Sequence, residues 1–284
     1  MSKNYRAELV GVFGDPVDEN PTGVMEEAAF AARGLNYRYL NFKLEKGRLK
    51  EAMEAVSLLN MRGINLTIPH KVDVIPYLDV LSPAAQITGA VNTVINDNGR
   101  LTGENTDGKG FLTALEEAGV SVSHKWITIL GAGGAARAIS VECALAGAKH
   151  ITIINRDAER GGALVELLSI KTPAEAEYLP WTAAVRIPDG TDILVNATCI
   201  GLYPNTDEKP DIDYSRISSR MVVTDVVFND PNTLFLQEAG KRAHKTVDGL
   251  GMLVHQGAIN FTLWTGVEAP VAIMKDALKK EFGL

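Results

Sequence analysis

Cysteine is nearly missing from this chain. Only Cys143 and Cys199 occur in 284 residues, too few and too far apart for a disulfide framework. Cys143 falls within a helical pattern and Cys199 just after an apolar run, so both are expected to be buried thiols. No apolar stretch approaches the roughly 18 uninterrupted residues of a membrane-spanning helix. The opening Met1-Ser-Lys-Asn-Tyr-Arg6 carries no apolar core of a secretory signal. These absences lead to the expectation of a cytoplasmic protein with no membrane partner. Cations are also in deficit, 28 Lys plus Arg against 35 Asp plus Glu for a net charge of −7, which argues against nucleic acid as a partner of the surface as a whole. The five histidines, His70, His124, His150, His244 and His255, do not fall at metal-ligand spacing, and no Gly-x-Ser-x-Gly elbow occurs.

The residues that are present describe a globular chain, 46% hydrophobic and 22% charged, and its length favours two domains. The most informative stretch is Trp126-Ile-Thr-Ile-Leu-Gly131-Ala-Gly133-Gly134-Ala135-Ala136. A short β-leaning run meets a glycine cluster, and an apolar helical pattern follows to about Gly147. Gly131 and Gly133 remove side chains that would keep a backbone away from a pyrophosphate, and Ala136 holds the third position of Gly-x-Gly-x-x-Gly/Ala, where a small residue lets helix sit on strand. The helix N-terminus would offer its N–H groups to the phosphates. An ordinary glycine turn in a parallel sheet is the plainer reading. The second apolar strand Ile151-Thr-Ile-Ile-Asn155 completes a βαβ unit and favours the dinucleotide-binding one.

Elsewhere the chain alternates strand and helix. Strands are expected at 7–13, 37–42 and 63–69 and helices at 24–34, with Met25, Ala28, Ala29 and Ala32 on one face, and at 48–59. Two strands flank Asp97-Asn98-Gly99, a hairpin signal, and Asn105-Thr106-Asp107-Gly108 supplies a helix start before Phe111. Further strands are expected at 193–196 and 221–225, and helices at 252–264 and 269–282. The pattern predicts an α/β fold with a mostly parallel sheet and two domains, divided near the helix that starts at Asp107, the second of them the dinucleotide-binding unit.

A nucleotide unit without metal ligands points to hydride transfer, because nicotinamide supplies the reactive carbon and the protein has only to bind, orient and move a proton. Asn65, Thr67, Lys71, Asn92 and Asp107 are polar residues at strand ends ahead of that unit. A partly buried lysine could take the proton of a secondary alcohol while an aspartate shares its path; each alone is as readily a solvated charge or a cap.

The segments Asn65-Leu-Thr67-Ile-Pro69-His70-Lys71, Gly89-Ala-Val-Asn92-Thr93, Asn105-Thr106-Asp107-Gly108, Gly131-Ala-Gly-Gly134-Ala135, Asn155-Arg156, Asn196-Ala-Thr198 and Asp248-Gly249-Leu-Gly-Met252-Leu-Val-His-Gln256 resemble, in order, those of the shikimate/quinate dehydrogenase family. The resemblance spans nearly the whole chain and implies an N-terminal α/β substrate domain, residues 1–104 plus 250–284, and a Rossmann dinucleotide-binding domain, residues 105–249, with a cleft between them. It implies Lys71 and Asp107 as the catalytic pair, Asn65, Thr67, Asn92 and Gln256 as holders of ring hydroxyls, and Gly131, Gly133, Gly134, Ala135, Asn155, Arg156, Thr198, Gly249 and Met252 along the cofactor. The partner it implies is a small cyclic hydroxy acid, handled by a monomer or a homodimer.

Two departures bear on substrate. Where the family carries Ser-x-Ser-Pro to hold a carboxylate, this chain has Asn20-Pro21-Thr22-Gly23, and where the family carries a tyrosine reaching toward the same carboxylate it has Phe228. Thr22 and Asn20 still offer polar groups, but a phenolic donor is gone, a loss of roughly 1.5–3 kcal/mol for a hydrogen bond to a charged group. The expectation is a paralogue whose preferred substrate is quinate, an amino-substituted analogue or another cyclic acid rather than plain shikimate. For the cofactor, an acid near the end of the second strand favours NAD and an arginine favours NADP. NADP-dependent members commonly carry threonine or serine after Asn-Arg, and this chain has Asp157, so NAD is expected to be preferred with NADP possible. The competing reading of Asp157 is a helix cap. A dinucleotide-binding sensor without activity, or another two-domain enzyme of the same layout, remain alternatives of a different class.

Overall fold

The computed structural model describes residues 5–284, so the first four residues of the amino-terminal stretch lie outside the described residues. The chain divides into two compact units, one ending at Thr106 and resuming over Val254–Leu284, the other spanning Asp107–Leu253.

The first unit opens β1 (Glu8–Gly14), α1 (Thr22–Ala32), β2 (Tyr37–Lys43), α2 (Leu49–Leu58), β3 (Gly63–Leu66), α3 (His70–Asp73), β4 (Val80–Leu81), α4 (Pro83–Thr88), β5 (Thr93–Asp97) and β6 (Arg100–Glu104). Its sheet runs β2-β1-β3-β5-β6-β4. Strand β1 is parallel to β2 and β3, and β4 to β6, while β5 is antiparallel to both its neighbours. Asn98 and Gly99 join β5 to β6 with φ of 52° and 94°, the doubly left-handed turn whose twist suits a two-residue hairpin. Phe13, Ile64, Leu66 and Val94 of the sheet pack with Leu49, Met53 and Val56 of α2 into one apolar core.

Helix α1 corrects one expectation. Its buried face is Thr22, Met25, Glu26, Ala29 and Phe30, and Ala32 is exposed. Phe30 stacks on Tyr37 at 5.0 Å and on Phe261 at 5.4 Å, and these aromatic contacts rotate the helix so that Glu26 faces inward.

The second unit contains α5 (Asp107–Glu117), β7 (Trp126–Leu130), α6 (Gly134–Leu145), β8 (His150–Asn155), α7 (Ala158–Lys171), β9 (Glu175–Pro180), β10 (Ile193–Asn196), β11 (Val222–Asp225), α8 (Leu234–Gly240) and β12 (Lys245–Val247). All six strands are parallel, in the order β12-β11-β10-β7-β8-β9. That is the doubly wound order in which the chain reverses direction between its first and fourth strands. Helix α5 starts four residues ahead of the apolar run at Phe111, and Gly108 lets it: a Cβ there would collide with the Ala138 carbonyl oxygen on α6. Helices α9 (Leu250–Thr265) and α10 (Val271–Glu281) complete the chain. Cys143 is buried in α6 as expected, but Cys199 is exposed, because it lies in the turn beyond β10 rather than in the strand. Among the described residues no helix is long and apolar enough to cross a membrane.

Candidate functional site

The second unit builds a phosphate cradle from backbone. Strands β7 and β10 lie side by side, Leu130 opposite Asn196, and the order of the sheet reverses at this pair, where the crevice beyond the strand ends admits a ligand. Gly131 follows β7 with φ of 110°, and a Cβ on it would lie 3.0 Å from the Ala197 carbonyl oxygen and 3.1 Å from Thr198 Cγ2. Only glycine meets both demands. A Cβ on Gly133 or Gly134 would instead meet nothing within 4 Å. Helix α6 begins there without a side-chain cap, so its first N–H groups remain for an anion. Ala136 is fully buried against the sheet. This open, amide-lined notch before Ala135 fits the diphosphate of a dinucleotide.

Around the notch, side chains tie the strand ends together. The Asn196 amide donates to Asp225 at 2.9 Å and accepts from the Thr198 hydroxyl at 2.7 Å. Asp225 also accepts from the Thr233 hydroxyl at 2.7 Å and from the Val227 N–H at 3.1 Å. Burial outweighs these bonds and pushes its carboxyl up to about 6. Gly249 is held against the backbone of Val226 and Val227, which a Cβ would strike. Phe228 and Met252 are half-buried.

The end of β8 places Asn155, Arg156 and Asp157. The Asn155 amide donates to the Asp157 carbonyl at 2.9 Å, and the Arg156 guanidinium lies over the Trp181 ring at 5.7 Å. Asp157 caps α7: its Oδ1 accepts from the Arg160 N–H at 3.0 Å, and its Oδ2 lies 3.4 Å from Arg160 Nε. The competing reading of Asp157 as a helix cap is thus what the geometry displays, with both carboxylate oxygens turned to Arg160.

The first unit builds its candidate site from side chains. Asn65 at the end of β3 accepts from the Tyr39 hydroxyl at 2.9 Å and donates to the Thr93 hydroxyl at 2.9 Å. Thr93 donates to Asn260 Oδ1 at 2.7 Å, and Thr106 donates to the same oxygen at 2.9 Å. Asn260 in turn donates to Gln256 Oε1 at 3.1 Å, and Asn92 holds Thr106 through both its amide atoms, 2.8 Å to the N–H and 2.9 Å to the hydroxyl. Asn65, Asn92 and Gln256 therefore belong to one buried polar set. Tyr39, Thr93, Thr106 and Asn260 are members of it that the sequence reading did not single out; Asn260 lies four residues after Gln256, on the same helix face, which was the available signal.

Thr67 is half-buried, and its carbonyl accepts from the His70 N–H at 2.8 Å. His70 bonds the Leu44 carbonyl at 2.7 Å through its ring. Lys71 is half-buried on α3, its carbonyl accepting from Val91 N–H at 2.7 Å. Asn20 accepts from the Thr22 N–H at 3.0 Å at the entry to α1, and Thr22 is buried. Asp107 follows Thr106 directly as the first residue of α5 in the second unit.

Comparison with known proteins places this geometry. Residues 12–94 match the shikimate dehydrogenase substrate-binding domain, and residues 249–279 match the shikimate 5′-dehydrogenase C-terminal domain. A curated relative from Desulforamulus reducens, named shikimate dehydrogenase (NADP(+)), is 41% identical over 98% of this chain and 97% of its own. A shikimate 5-dehydrogenase from Listeria monocytogenes, solved with shikimate and NAD, is 36% identical with a TM-score of 0.89, covering 97% of this chain and 98% of that one. A ligand-free 5-ketofructose reductase from a Gluconobacter strain is 43% identical with a TM-score of 0.92, covering 98% of this chain and all of that one.

Proposed function

The chain belongs to the shikimate dehydrogenase family, NAD(P)-dependent oxidoreductases that exchange a hydride with the secondary alcohol of a cyclic hydroxy acid, and from that premise we propose that it works with NADP and that Lys71 and Asp107 are its acid–base pair. The observation that carries this reading is the buried amide–hydroxyl set of Asn65, Asn92 and Gln256. So many polar groups in a dry interior are costly unless paired, and amides and hydroxyls are the donors and acceptors that a ring of hydroxyls calls for. When bound, the nicotinamide supplies the carbon that takes or gives the hydride. The chain's part is to hold and move the proton. Lys71 accepts it from the alcohol oxygen during oxidation and returns it to the ketone oxygen during reduction, and Asp107 shares the proton path. Gly131, Gly133, Gly134 and Ala135 seat the diphosphate, and Thr198, Gly249 and Met252 line the rest of the cofactor.

NADP rather than NAD is supported by the engagement of Asp157 with Arg160, which occupies the carboxylate and leaves Arg156 at the end of β8 as a cation for a 2′-phosphate, and by the name of the Desulforamulus relative, shikimate dehydrogenase (NADP(+)). The expectation of NAD from Asp157 alone gives way to this. The test is reduction of NADP and NAD by shikimate with wild type and Lys71→Ala. Wild type should favour NADP at least tenfold in kcat/KM, and Lys71→Ala should lower kcat by roughly 10²–10⁴ with cofactor binding kept. Activity within threefold of wild type would remove Lys71 from the chemistry.

A second reading is a ring or ring-forming keto sugar without a carboxylate. It is favoured by the amino end of α1, where Asn20 already bonds the Thr22 N–H, and by Phe228, which brings no hydroxyl; the Gluconobacter relative carries the name of a keto-sugar reductase.

A further inference from the structure

Helix α1 buries a carboxyl group that its own fold does not use. Glu26 is 0% exposed, and neither of its carboxyl oxygens has a hydrogen-bond partner. Burial, reinforced by the charge of Glu27, pushes it well above the usual carboxylate range. An apolar side chain of the same length would pack this helix face without desolvating a polar group, so stability does not account for a glutamate here.

Its neighbours are those of the candidate substrate wall. Thr22 lies one helical turn earlier on the same face. Tyr39 lies within electrostatic reach of Glu26, and its phenol hydrogen-bonds both Thr22 and Asn65. Helix α9 comes to Glu26 with Gly257, the residue after Gln256. A Cβ at Gly257 would strike the end of Met25 and lie 3.3 Å from Glu26 Oε1, so the glycine is what lets the carboxyl occupy this place.

Resting on the reading in which Asn65, Asn92 and Gln256 bind the substrate ring, we propose that Glu26 is a specificity-determining residue of this site, selecting a ring that presents a hydroxyl or ketone, rather than a carboxylate, to the wall between α1 and α9. A carboxylic acid kept neutral both donates and accepts, and a hydroxyl is its full complement. A substrate carboxylate only accepts, leaving one Glu26 oxygen unpaired in dry surroundings, and ionisation of Glu26 would then set two anions together. The carboxyl is fully buried, so engagement by the ring requires the Glu26 side chain to turn toward Thr22. The substrate class is an uncharged polyhydroxy ketone and its alcohol.

The test uses the full chain with NADPH and two ketones, 5-ketofructose and 3-dehydroshikimate. Wild type should favour 5-ketofructose at least tenfold in kcat/KM. Glu26→Leu should lower that preference at least tenfold through KM, keep kcat within threefold and raise the melting temperature; Glu26→Gln, which retains a donor and an acceptor, should restore most of the preference. Should the leucine variant misfold, Glu26→Met carries the same comparison. A wild-type preference for 3-dehydroshikimate, or a ratio unmoved by either apolar variant, overturns the proposal and leaves the reaction class standing if Lys71→Ala still removes turnover. Reduction of neither ketone overturns the underlying reading and this proposal with it.

Discussion

The two units recognise their ligands by different means. In the second unit the sheet is wholly parallel, and the cradle is made of backbone: a left-handed Gly131, two glycines facing open space and the uncapped start of α6. In the first unit the sheet is mixed, and the site is made of side chains, with Thr93 and Asn260 bonded across 167 positions of sequence. A phosphate is the same in every dinucleotide, so amides suffice for it. A ring with several hydroxyls has to be read group by group, and only side chains vary enough to do that.

The largest expected effect comes from breaking the backbone side of this contrast. Gly131→Ala places a methyl 3.0 Å from the Ala197 carbonyl oxygen at a φ of 110°, which should cost about 3 kcal/mol in denaturant unfolding of the second unit and abolish cofactor binding. Gly133→Ala enters open space and should leave unfolding unchanged while weakening the cofactor at least tenfold, because the methyl fills room meant for the diphosphate. Equal stability losses at both positions would mean that the notch is a folding feature rather than a binding one.

The side-chain unit is tested by Asn260→Ala. Thr93 and Thr106 would lose the oxygen they share, and Gln256 one donor, a loss of about 2 kcal/mol from hydrogen bonds broken in a dry interior. Chemical denaturation measures it, and a change below about 0.5 kcal/mol would show that the amide does not hold the set together. The contrast also explains how far the sequence could be read. Gly131 to Ala136 declare themselves because their requirements are local: a positive φ, a close approach, a small residue against the sheet. The hairpin at Asn98-Gly99 is legible for the same reason. Tyr39 and Asn260 are not, since their partners are set by how distant strands and helices meet, and a lone tyrosine or asparagine carries no mark of that. Glu26 was hidden by its own helix: an alanine-rich segment leaves the inward face open to several rotations, and Phe30 rather than Ala32 decides which one forms.

The smallest effect sharpens the boundary between the two kinds of recognition, because Asp157 belongs to both. As a cap it serves the backbone of α7; as a carboxylate it can read the ribose. Asp157→Ser keeps a side-chain oxygen suited to the cap, so unfolding should move by less than about 0.5 kcal/mol. It also releases Arg160 from its carboxylate partner. If Arg156 and Arg160 receive a 2′-phosphate, the ratio of kcat/KM for NADP over NAD should rise about threefold, chiefly through the KM for NADP. A fall of tenfold or more in kcat/KM for NAD, with NADP unmoved, would instead make Asp157 a ribose ligand. A ratio unmoved in both directions would leave the carboxylate as a cap alone, and specificity for the cofactor would then rest on the arginines.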